Sequence, residues 1–277
     1  MKDAHPDPSK LIAKILDSSK YRALGVNPDT LQDLIQQELP KHASEKAMVK
    51  AVKRKLHNIV APYLGEPDYK ALTKSLSAIK DTAVDSDEVR TFCRTVLAQH
   101  ASTDERLPYL KSFYQTLFEA TGTPKTLLDL ACGLNPFAFP WMDLPISTQY
   151  FAYDIIQPRI TFINAFFSHI GLQPLAENRD ILASPPTQHA DLALFFKEAH
   201  RFEKRQPGCN QHFWASLDVD LLAISLPAHN LSGTHSLIDQ HRRLVHQNLP
   251  PNIVISEILI QDEIVFLIEE PGGPHHG

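Results

Sequence analysis

The stretch Thr126-Leu127-Leu128-Asp129-Leu130-Ala131-Cys132-Gly133-Leu134-Asn135-Pro136 decides the fold. A short apolar run of strand length leads into one glycine and then into an Asn-Pro pair that starts a new element. In an open α/β sheet a ligand lies beyond the carboxyl end of such a strand, where the backbone at a glycine can approach it closely. Gly133 is therefore a candidate ligand contact, with an ordinary strand-to-helix turn as the alternative. Because there is no G-x-G-x-x-G, a pyrophosphate cradle for a dinucleotide is not indicated.

The remainder of the chain after this stretch alternates short apolar runs with helical stretches, which is typical of an α/β sheet. The last two predicted strands are joined so tightly, around Gln261 and Asp262, that they should form an antiparallel hairpin. A parallel sheet that ends in such a hairpin is the arrangement of Rossmann-like methyltransferases. The predicted strands are 126–132, 149–154, 175–180, 190–196, 221–226, 252–260 and 262–269.

The first hundred residues show a different sequence pattern, in which apolar residues recur at helical spacing. We predict a bundle of about five helices, with Asp29 and Ser44 as N-caps, followed by a helix over roughly 103–121. Residues 1–80 hold 14 Lys and Arg against 9 Asp and Glu, a balance of +5, whereas residues 81–277 hold 13 against 23, a balance of −10. This asymmetry indicates that an anionic partner would be bound by the first part, although a solvated surface is the simpler explanation.

Composition limits the remaining function classes. The 277 residues are 43% hydrophobic and 21% charged, which suits one large core with a smaller satellite domain. No apolar run approaches the ~20 residues of a membrane span, and the N-terminus is unlike a signal peptide, so we expect no membrane association and a cytoplasmic location. Three widely spaced cysteines and the absence of metal-binding histidine motifs predict reduced thiols and no metal site. A monomer is the default expectation.

Two acidic residues follow the next predicted strands. Asp154 stands 21 residues after Gly133, at a strand end where a carboxylate can accept hydrogen bonds from both ribose hydroxyls of an adenosine-containing cofactor. Asp180 and Ile181 end the third strand and suit the amino group and the ring face of an adenine. Asp180 could instead cap a helix. Gly, Asp and Asp on three successive strand ends are harder to explain as caps together than singly.

Four segments of the chain carry specific motifs, among them H-A-S-T-x-E-R-L and D-x-A-C-G-L-N-P. The segments are Ser19-Lys20-Tyr21-Arg22-Ala23-Leu24, His100-Ala101-Ser102-Thr103-Asp104-Glu105-Arg106-Leu107, 128–136 and Phe196-Lys197. They resemble, in the same order from about Leu11 to Glu269, the aminoglycoside-resistance 16S rRNA (guanine(1405)-N7)-methyltransferases. The resemblance implies a class I Rossmann-like methyltransferase domain over 99–277 and an α-helical, rRNA-binding N-terminal domain over 1–98.

The resemblance also implies a binding site for S-adenosyl-L-methionine. Arg106 would pair with the carboxylate of the cofactor in a charge-assisted bond. Glu198 falls at a cofactor-lining position where the family has an apolar residue, so its contact would be made through the backbone. The implied cofactor residues are His100, Ala101, Ser102, Arg106, Gly133, Asp154, Asp180, Ile181, Glu198 and Gln206.

The implied partner is the 30S ribosomal subunit with its 16S rRNA. Basic side chains of the helical part are then candidates for phosphate contacts, and a solvated helix face is the alternative for each. These candidates are Lys20, Arg22, Lys50, Lys53, Arg54 and Lys55.

Guanine N7 carries an in-plane lone pair and no proton at neutral pH, so we expect no catalytic general base. Catalysis should rest on proximity and on placing a flipped base against the methyl group. Four residues are within plausible reach of such a base: Phe137, Phe139, Trp141 and Lys197. Lys197 lies at a strand end where a substrate contact is expected, and the alternative is that its side chain is only solvated.

The loop over 225–235 departs from the family pattern, because His229 stands where the family has an arginine and the basic residue that follows is missing. Two alternatives therefore stay open beside an rRNA guanine-N7 methyltransferase. One is a methyltransferase of the same fold acting on another RNA or a small molecule. The other is a ribosome-binding protein that keeps cofactor affinity without turnover.

Overall fold

The computed structural model describes residues 8–17, 19–60, 67–79, 82–230 and 232–271. Its α-helices in this part are α1 Pro8–Leu16, α2 Ser19–Leu24, α3 Pro28–Glu38, α4 Glu45–Val60, α5 Tyr69–Ser75, α6 Asp87–Leu97, α7 Ala101–Asp104, α8 Leu110–Thr121, α9 Gln157–His169, α10 Ala199–Arg205, α11 Cys209–Ala215 and α12 Ile238–Gln247. Its strands are β1 Thr126–Leu130, β2 Gln149–Asp154, β3 Ala176–Asn178, β4 Ala190–Phe196, β5 Val219–Pro227, β6 Ile255–Ile260 and β7 Glu263–Glu269.

The strands form one seven-stranded sheet in the order β3-β2-β1-β4-β5-β7-β6. The first five strands pair in parallel, and β7 pairs antiparallel with both β5 and β6. The predicted α/β class and the closing hairpin are therefore confirmed. β1 ends two residues earlier than predicted, because Ala131 takes a positive φ of 55° and turns the chain out of the strand.

Side chains of the central strands point alternately to the two faces of the sheet and belong to two hydrophobic clusters. On β4, Leu192 and Leu194 belong to one cluster, and Ala193 and Phe195 belong to the other. The first cluster includes residues of α5, α6, α8 and α9, and the second includes residues of α10, α11 and α12. The sheet is thus buried on both faces, which explains why its strands read as continuous apolar runs.

The helical N-terminal part, predicted over 1–98, contributes to two separate hydrophobic clusters. Buried residues of α1 to α4, between Leu11 and Val60, form their own cluster, which meets the sheet domain at Ile155 and Ile156. Residues from Tyr69 to Leu97 instead join the cluster on one face of the sheet. Because α5 and α6 bury their apolar faces against the sheet domain, the independent helical cluster ends at Val60.

Two local predictions need correction. Helix α3 begins at Pro28, and its N-cap is Asn27, whose side chain accepts the backbone N–H of Asp29, so Asp29 lies inside the first turn. The helix predicted over 103–121 is interrupted between α7 and α8 by a short 3₁₀ segment around Pro108, a residue that lacks a backbone N–H. Ser44 does precede α4 and accepts the Ala47 N–H, as predicted.

Cys93, Cys132 and Cys209 are buried free thiols. Among the described residues, none of the helices combines the length and apolar character that crossing a bilayer requires.

Gly25 lies where the helical part joins the sheet domain. Its carbonyl accepts the Gln157 N–H at 3.1 Å, and the following residue, Val26, forms a β-bridge with Ile156. Gly25 has a φ of +55°, and a Cβ added there would lie 3.1 Å from both Gln157 Cβ and Pro158 Cδ. The residue must therefore adopt a left-handed conformation in a space with no room for a side chain.

We expect Gly25→Ala to lower the free energy of unfolding by about 2–3 kcal/mol, because it combines left-handed strain with a close contact at the junction. Gly208→Ala is the matched control, since Gly208 is also left-handed, with a φ of 77° and a ψ of 3°, but has nothing within 4 Å of an added Cβ, so strain alone should cost about 1 kcal/mol. Urea unfolding measures both values. Equal losses would contradict the close packing of the junction.

Candidate functional site

Two cavities lie side by side at the carboxyl ends of the central parallel strands. The larger has a volume of about 1570 Å³ and the smaller about 560 Å³. The two cavities adjoin each other, because five residues line both of them. These residues are Ala131, Glu198, His200, Arg201 and Lys204. This is the position where open α/β sheets bind ligands.

Most of the predicted cofactor residues line one of these cavities. The larger cavity is lined by His100, Ala101, Ser102, Arg106, Gly133 and Glu198, together with Lys197. The smaller cavity is lined by Asp154, Asp180, Ile181 and Glu198. Gln206 is the exception, since it is exposed at the end of α10, where its side chain accepts a hydrogen bond from Gln37 at 2.9 Å.

The backbone is strained where the two central strands end. Ala131 follows β1 with a φ of 55°, and Lys197 follows β4 with a φ of 60°. Non-glycine residues seldom adopt this region, and such strain concentrates at functional sites. Gly133 also has a positive φ, and a Cβ added there would lie 3.4 Å from the His100 ring. The chain therefore turns sharply under the floor of the larger cavity.

Asp154 is fixed by donors on both of its carboxylate oxygens. Oδ2 accepts the Gly133 N–H at 3.1 Å and Arg159 Nη1 at 2.6 Å, while Oδ1 accepts the Ile156 N–H at 2.9 Å. Arg159 is fully buried, and its Nε also donates to the Tyr69 hydroxyl at 3.1 Å. Because two independent elements hold it, the carboxylate has a defined orientation at the cavity wall.

Asp180 has two roles in the structure. Its Oδ1 accepts the Leu182 N–H at 3.1 Å, which is the capping role considered as the alternative. Arg205 Nη1 donates to the same Oδ1 at 2.9 Å and lies 2.8 Å from Oδ2, which is buried. Capping therefore accounts for only part of the surroundings of this carboxylate, and Asp180 lines the smaller cavity together with Ile181, which supplies an apolar wall.

Arg106 is buried and already paired with a carboxylate of this chain. Its Nε and Nη2 donate to Glu263 at 2.9 and 2.6 Å, and its Nη1 donates to Asn135 at 3.1 Å. The guanidinium carbon lies 4.0 Å from the ring centroid of Phe113 and 4.7 Å from that of Phe196. Burial opposes ionisation of Glu263, but attraction to Arg106 outweighs it and lowers the pKa of Glu263 to about 2. Sequence reasoning missed Glu263, since a single acidic residue at the start of a strand carries no motif.

Lys197 is not a solvated strand-end lysine, because its side chain is only 9% exposed. Its Nζ donates to Glu105 Oε2 at 2.8 Å and to the Ser102 carbonyl at 3.2 Å, and it lies 3.5 Å from Glu263 Oε1. The ammonium is thus held at the wall of the larger cavity by the α7 region and β7.

Asp129 is a further buried carboxylate at this site that the sequence analysis did not single out. Its Oδ2 accepts the Tyr150 hydroxyl at 2.6 Å and the Asn135 amide at 2.9 Å, and the residue lines the larger cavity. Burial raises the pKa of Asp129 to about 7, with the two hydrogen bonds acting in the opposite direction. One feature of the sequence could have identified Asp129, namely a carboxylate between two leucines in a strand that is buried on both faces.

Two histidines at the cavities are held in the neutral form. Burial lowers the pKa of His100 to about 4, and nearby Arg159 adds to the effect. Burial also lowers the pKa of His200 to about 4, with a contribution from Arg201. At neutral pH neither ring therefore adds positive charge to the site.

The three aromatic residues considered for contact with a flipped base lie elsewhere. Phe137, Phe139 and Trp141 are all buried in the cluster on one face of the sheet, and Phe137 stacks on Phe162 with ring centroids 4.6 Å apart. None of the three lines either cavity. That prediction is wrong, because the segment after Gly133 folds into a 3₁₀ helix whose residues are all buried.

The basic residues of the helical part differ in availability. Lys50, Lys53 and Arg54 are exposed on α4. Arg22 is exposed but paired with Asp17, and the side chain of Lys20 lies outside the described residues. Lys55 lines the smaller cavity, where it lies 2.8 Å from Glu38 and donates to Gln37 at 2.9 Å.

The loop that departs from the family pattern forms part of the larger cavity. His229 lines the cavity, is paired across a β-bridge with Ser236, and has its Nδ1 3.7 Å from Asp262. On the other side of the loop, α12 contributes Gln240 and Arg243 to the lining.

The sheet order, the hairpin and the cavities at the strand ends define a Rossmann-like methyltransferase. A family model described as ribosomal RNA methyltransferase (FmrO) matches residues 17–245. The chain therefore belongs to the FmrO family of ribosomal RNA methyltransferases.

Relatives and solved structures agree with this assignment. A 16S rRNA (guanine(1405)-N(7))-methyltransferase of Frankia casuarinae is 35% identical over 218 residues, which cover 77% of this chain and 76% of the relative. An enzyme of the same name from Serratia marcescens is 32% identical and covers 94% of this chain and 98% of the relative. The structure of the 16S rRNA methylase RmtB is similar with a TM-score of 0.78 at 30% identity, covering 96% of this chain and 99% of that one.

We expect Asp129→Asn to change the pH dependence of stability. Because the pKa of Asp129 is raised in the folded state, its contribution favours folding at low pH and is lost as pH rises from about 4 to about 7. The variant lacks this titration but keeps an acceptor oxygen for Tyr150 and Asn135. Relative to wild type, it should therefore gain about 2 kcal/mol of stability between pH 5 and pH 8, measured by urea unfolding. A difference that does not vary with pH would show that Asp129 does not titrate in this range.

Proposed function

We propose that this chain transfers a methyl group from S-adenosyl-L-methionine to N7 of guanine 1405 in 16S rRNA within the 30S subunit. The observation that carries the proposal is that Gly133, Asp154 and Asp180 line adjoining cavities at successive strand ends of a chain that belongs to the FmrO family. The relatives' names support the choice of target, since each describes guanine-N7 methylation of 16S rRNA.

The residues at the smaller cavity fit an adenosine group. Asp154 offers an oriented carboxylate for ribose hydroxyls, and Asp180 offers a buried carboxylate that Arg205 holds at the cavity wall. Ile181 is an apolar wall that is only 2% exposed. Carboxylate acceptors beside an apolar wall match the hydroxyls, the amine and the ring of adenosine.

The larger cavity would hold the methionine part and the target base. When bound, S-adenosyl-L-methionine supplies an electrophilic sulfonium methyl group. As guanine N7 attacked with its in-plane lone pair, the bond between the methyl carbon and sulfur would break and S-adenosylhomocysteine would leave. Since N7 carries no proton, no residue of the chain needs to act as a base. The chain orients the reactants: Glu105, the Ser102 carbonyl and Glu263 hold the Lys197 ammonium at the wall of the larger cavity, and neutral His100 packs beside Gly133.

The mainly helical part before the sheet domain would bind the rRNA. Its balance of +5 over residues 1–80 and the exposed row of Lys50, Lys53 and Arg54 on α4 support this role. The same part adjoins the smaller cavity, so docking on the ribosome would bring the catalytic cavities to the target. We further propose a monomer that works in the cytoplasm and that confers aminoglycoside resistance.

The direct test is transfer of tritiated methyl groups from S-adenosyl-L-methionine to purified 30S subunits, with free 16S rRNA in parallel. The modified base is mapped by borohydride–aniline cleavage. We expect incorporation into 30S subunits at guanine 1405, because the altered loop at His229 still lines an open cavity. Incorporation at another nucleotide, or into a small molecule alone, would support a different target. Sedimentation with 30S subunits without methyl transfer would support a ribosome-binding protein that has lost activity.

The rRNA-docking role predicts a selective effect of removing charge from α4. We expect the double variant Lys53→Ala, Arg54→Ala to weaken 30S binding and to reduce the slope of log affinity against log salt by about one per lost phosphate contact. The affinity for S-adenosylhomocysteine, measured by calorimetry, should not change.

The matched control is Lys125→Ala, compared with Lys53→Ala alone, since each removes one exposed positive charge. Lys125 precedes β1 and so lies at the end of the sheet opposite the cavities. If this control weakened 30S binding as strongly as Lys53→Ala, the effect would be one of net charge and α4 would not be the docking surface.

A further inference from the structure

We propose that Asp33, on helix α3 of the N-terminal part, is a positioning residue for adenine recognition, and that it acts through Arg205 on Asp180. The inference rests on the proposed function, because it takes the smaller cavity to be the adenosine site. It assigns part of cofactor recognition to helices whose proposed role is to bind rRNA.

The geometry is a buried bridge of three side chains. Arg205 Nη1 lies 2.9 Å from Asp180 Oδ1 and 2.8 Å from Oδ2, and Arg205 Nη2 lies 2.6 Å from Asp33 Oδ2. The side chains of Arg205, Asp180 and Asp33 are 7%, 1% and 22% exposed. One guanidinium therefore joins the carboxylate at the cavity to a carboxylate of the helical cluster.

Asp180 depends on this bridge for its direction. Burial removes the hydration of a carboxylate that is 1% exposed, and Arg205 compensates for that loss as its paired cation. If Asp180 rotated, its carboxylate would no longer be held at the wall of the smaller cavity. Arg205 in turn has a fixed direction because its other nitrogen is held by Asp33.

Other contacts fasten the same helices to the same end of the sheet. Asn27 Nδ2 donates to the carbonyl of Asn178, the last residue of β3, at 2.7 Å. Helix α4 supplies Asn58 and Ile59 to the wall of the smaller cavity. The adenosine site is thus built from both parts of the chain, and the bridge at Arg205 is the contact that reaches a ligand-facing group.

The other cofactor-facing carboxylate is held in a similar way. Arg159 joins Asp154 to the hydroxyl of Tyr69, which lies on α5. In both cases a buried arginine links an aspartate at the cavity with a helix that precedes the sheet.

The test compares Asp33→Asn with the control Asp29→Asn, which removes the same charge from an exposed position on the same helix. Calorimetry gives the dissociation constants of S-adenosylhomocysteine and of S-inosylhomocysteine, in which a carbonyl replaces the exocyclic amine of adenine. We expect Asp33→Asn to weaken S-adenosylhomocysteine about 5- to 10-fold, the loss of part of one charged hydrogen bond, and to change the inosyl analogue less than about 2-fold. The control should change neither.

A second variant, Arg205→Lys, tests the same bridge in case Asp33→Asn fails to fold. A lysine keeps the charge but cannot donate to both carboxylates in the same planar geometry. It should show the same selective loss, with the KM for S-adenosyl-L-methionine raised and kcat on 30S subunits unchanged. Equal weakening of both ligands, or no change in either, would overturn the role of Asp33. A wild-type chain that binds neither ligand would instead overturn the proposed function itself.

Discussion

A buried carboxylate requires a partner that compensates for its lost hydration, and a cation is the strongest such partner. Three carboxylates at this site meet that requirement with three buried arginines: Asp154 with Arg159, Asp180 with Arg205, and Glu263 with Arg106. Each arginine comes from a helical region that flanks the sheet. The pairs therefore fix helices against strand ends, and the walls of both cavities depend on them.

This arrangement links the two parts of the chain. The apolar cluster of α1 to α4 meets the sheet domain at Ile155 and Ile156. Polar contacts also join the two parts, through Asn27 to Asn178 and through Asp33 to Arg205. Polar contacts of defined geometry constrain orientation more closely than apolar packing does. Under the proposed function these helices dock on rRNA, and a fixed orientation of the helices would help to place one base against one methyl group.

Sequence reasoning performed well where the physical signal was local. The apolar run into Gly133 and the spacing to Asp154 and Asp180 placed three strand ends that line the two cavities. The short link at Gln261 and Asp262 identified the antiparallel hairpin. The partners of Arg106 could not be predicted, since Glu263 lies 157 residues away and only the sheet topology brings them together. The aromatic residues after Gly133 were misjudged, because hydrophobicity alone does not separate a ligand wall from a core.

One pair of adjoining cavities, at the carboxyl ends of β1, β2 and β4, is the proposed binding site of the cofactor. A crystal structure of the chain with S-adenosylhomocysteine tests this claim most directly. It should show the ribose hydroxyls on Asp154, the adenine amine on Asp180 and the sulfur in the larger cavity, near Gly133. A ligand bound elsewhere, or one whose adenine lies away from Asp180, would contradict the account.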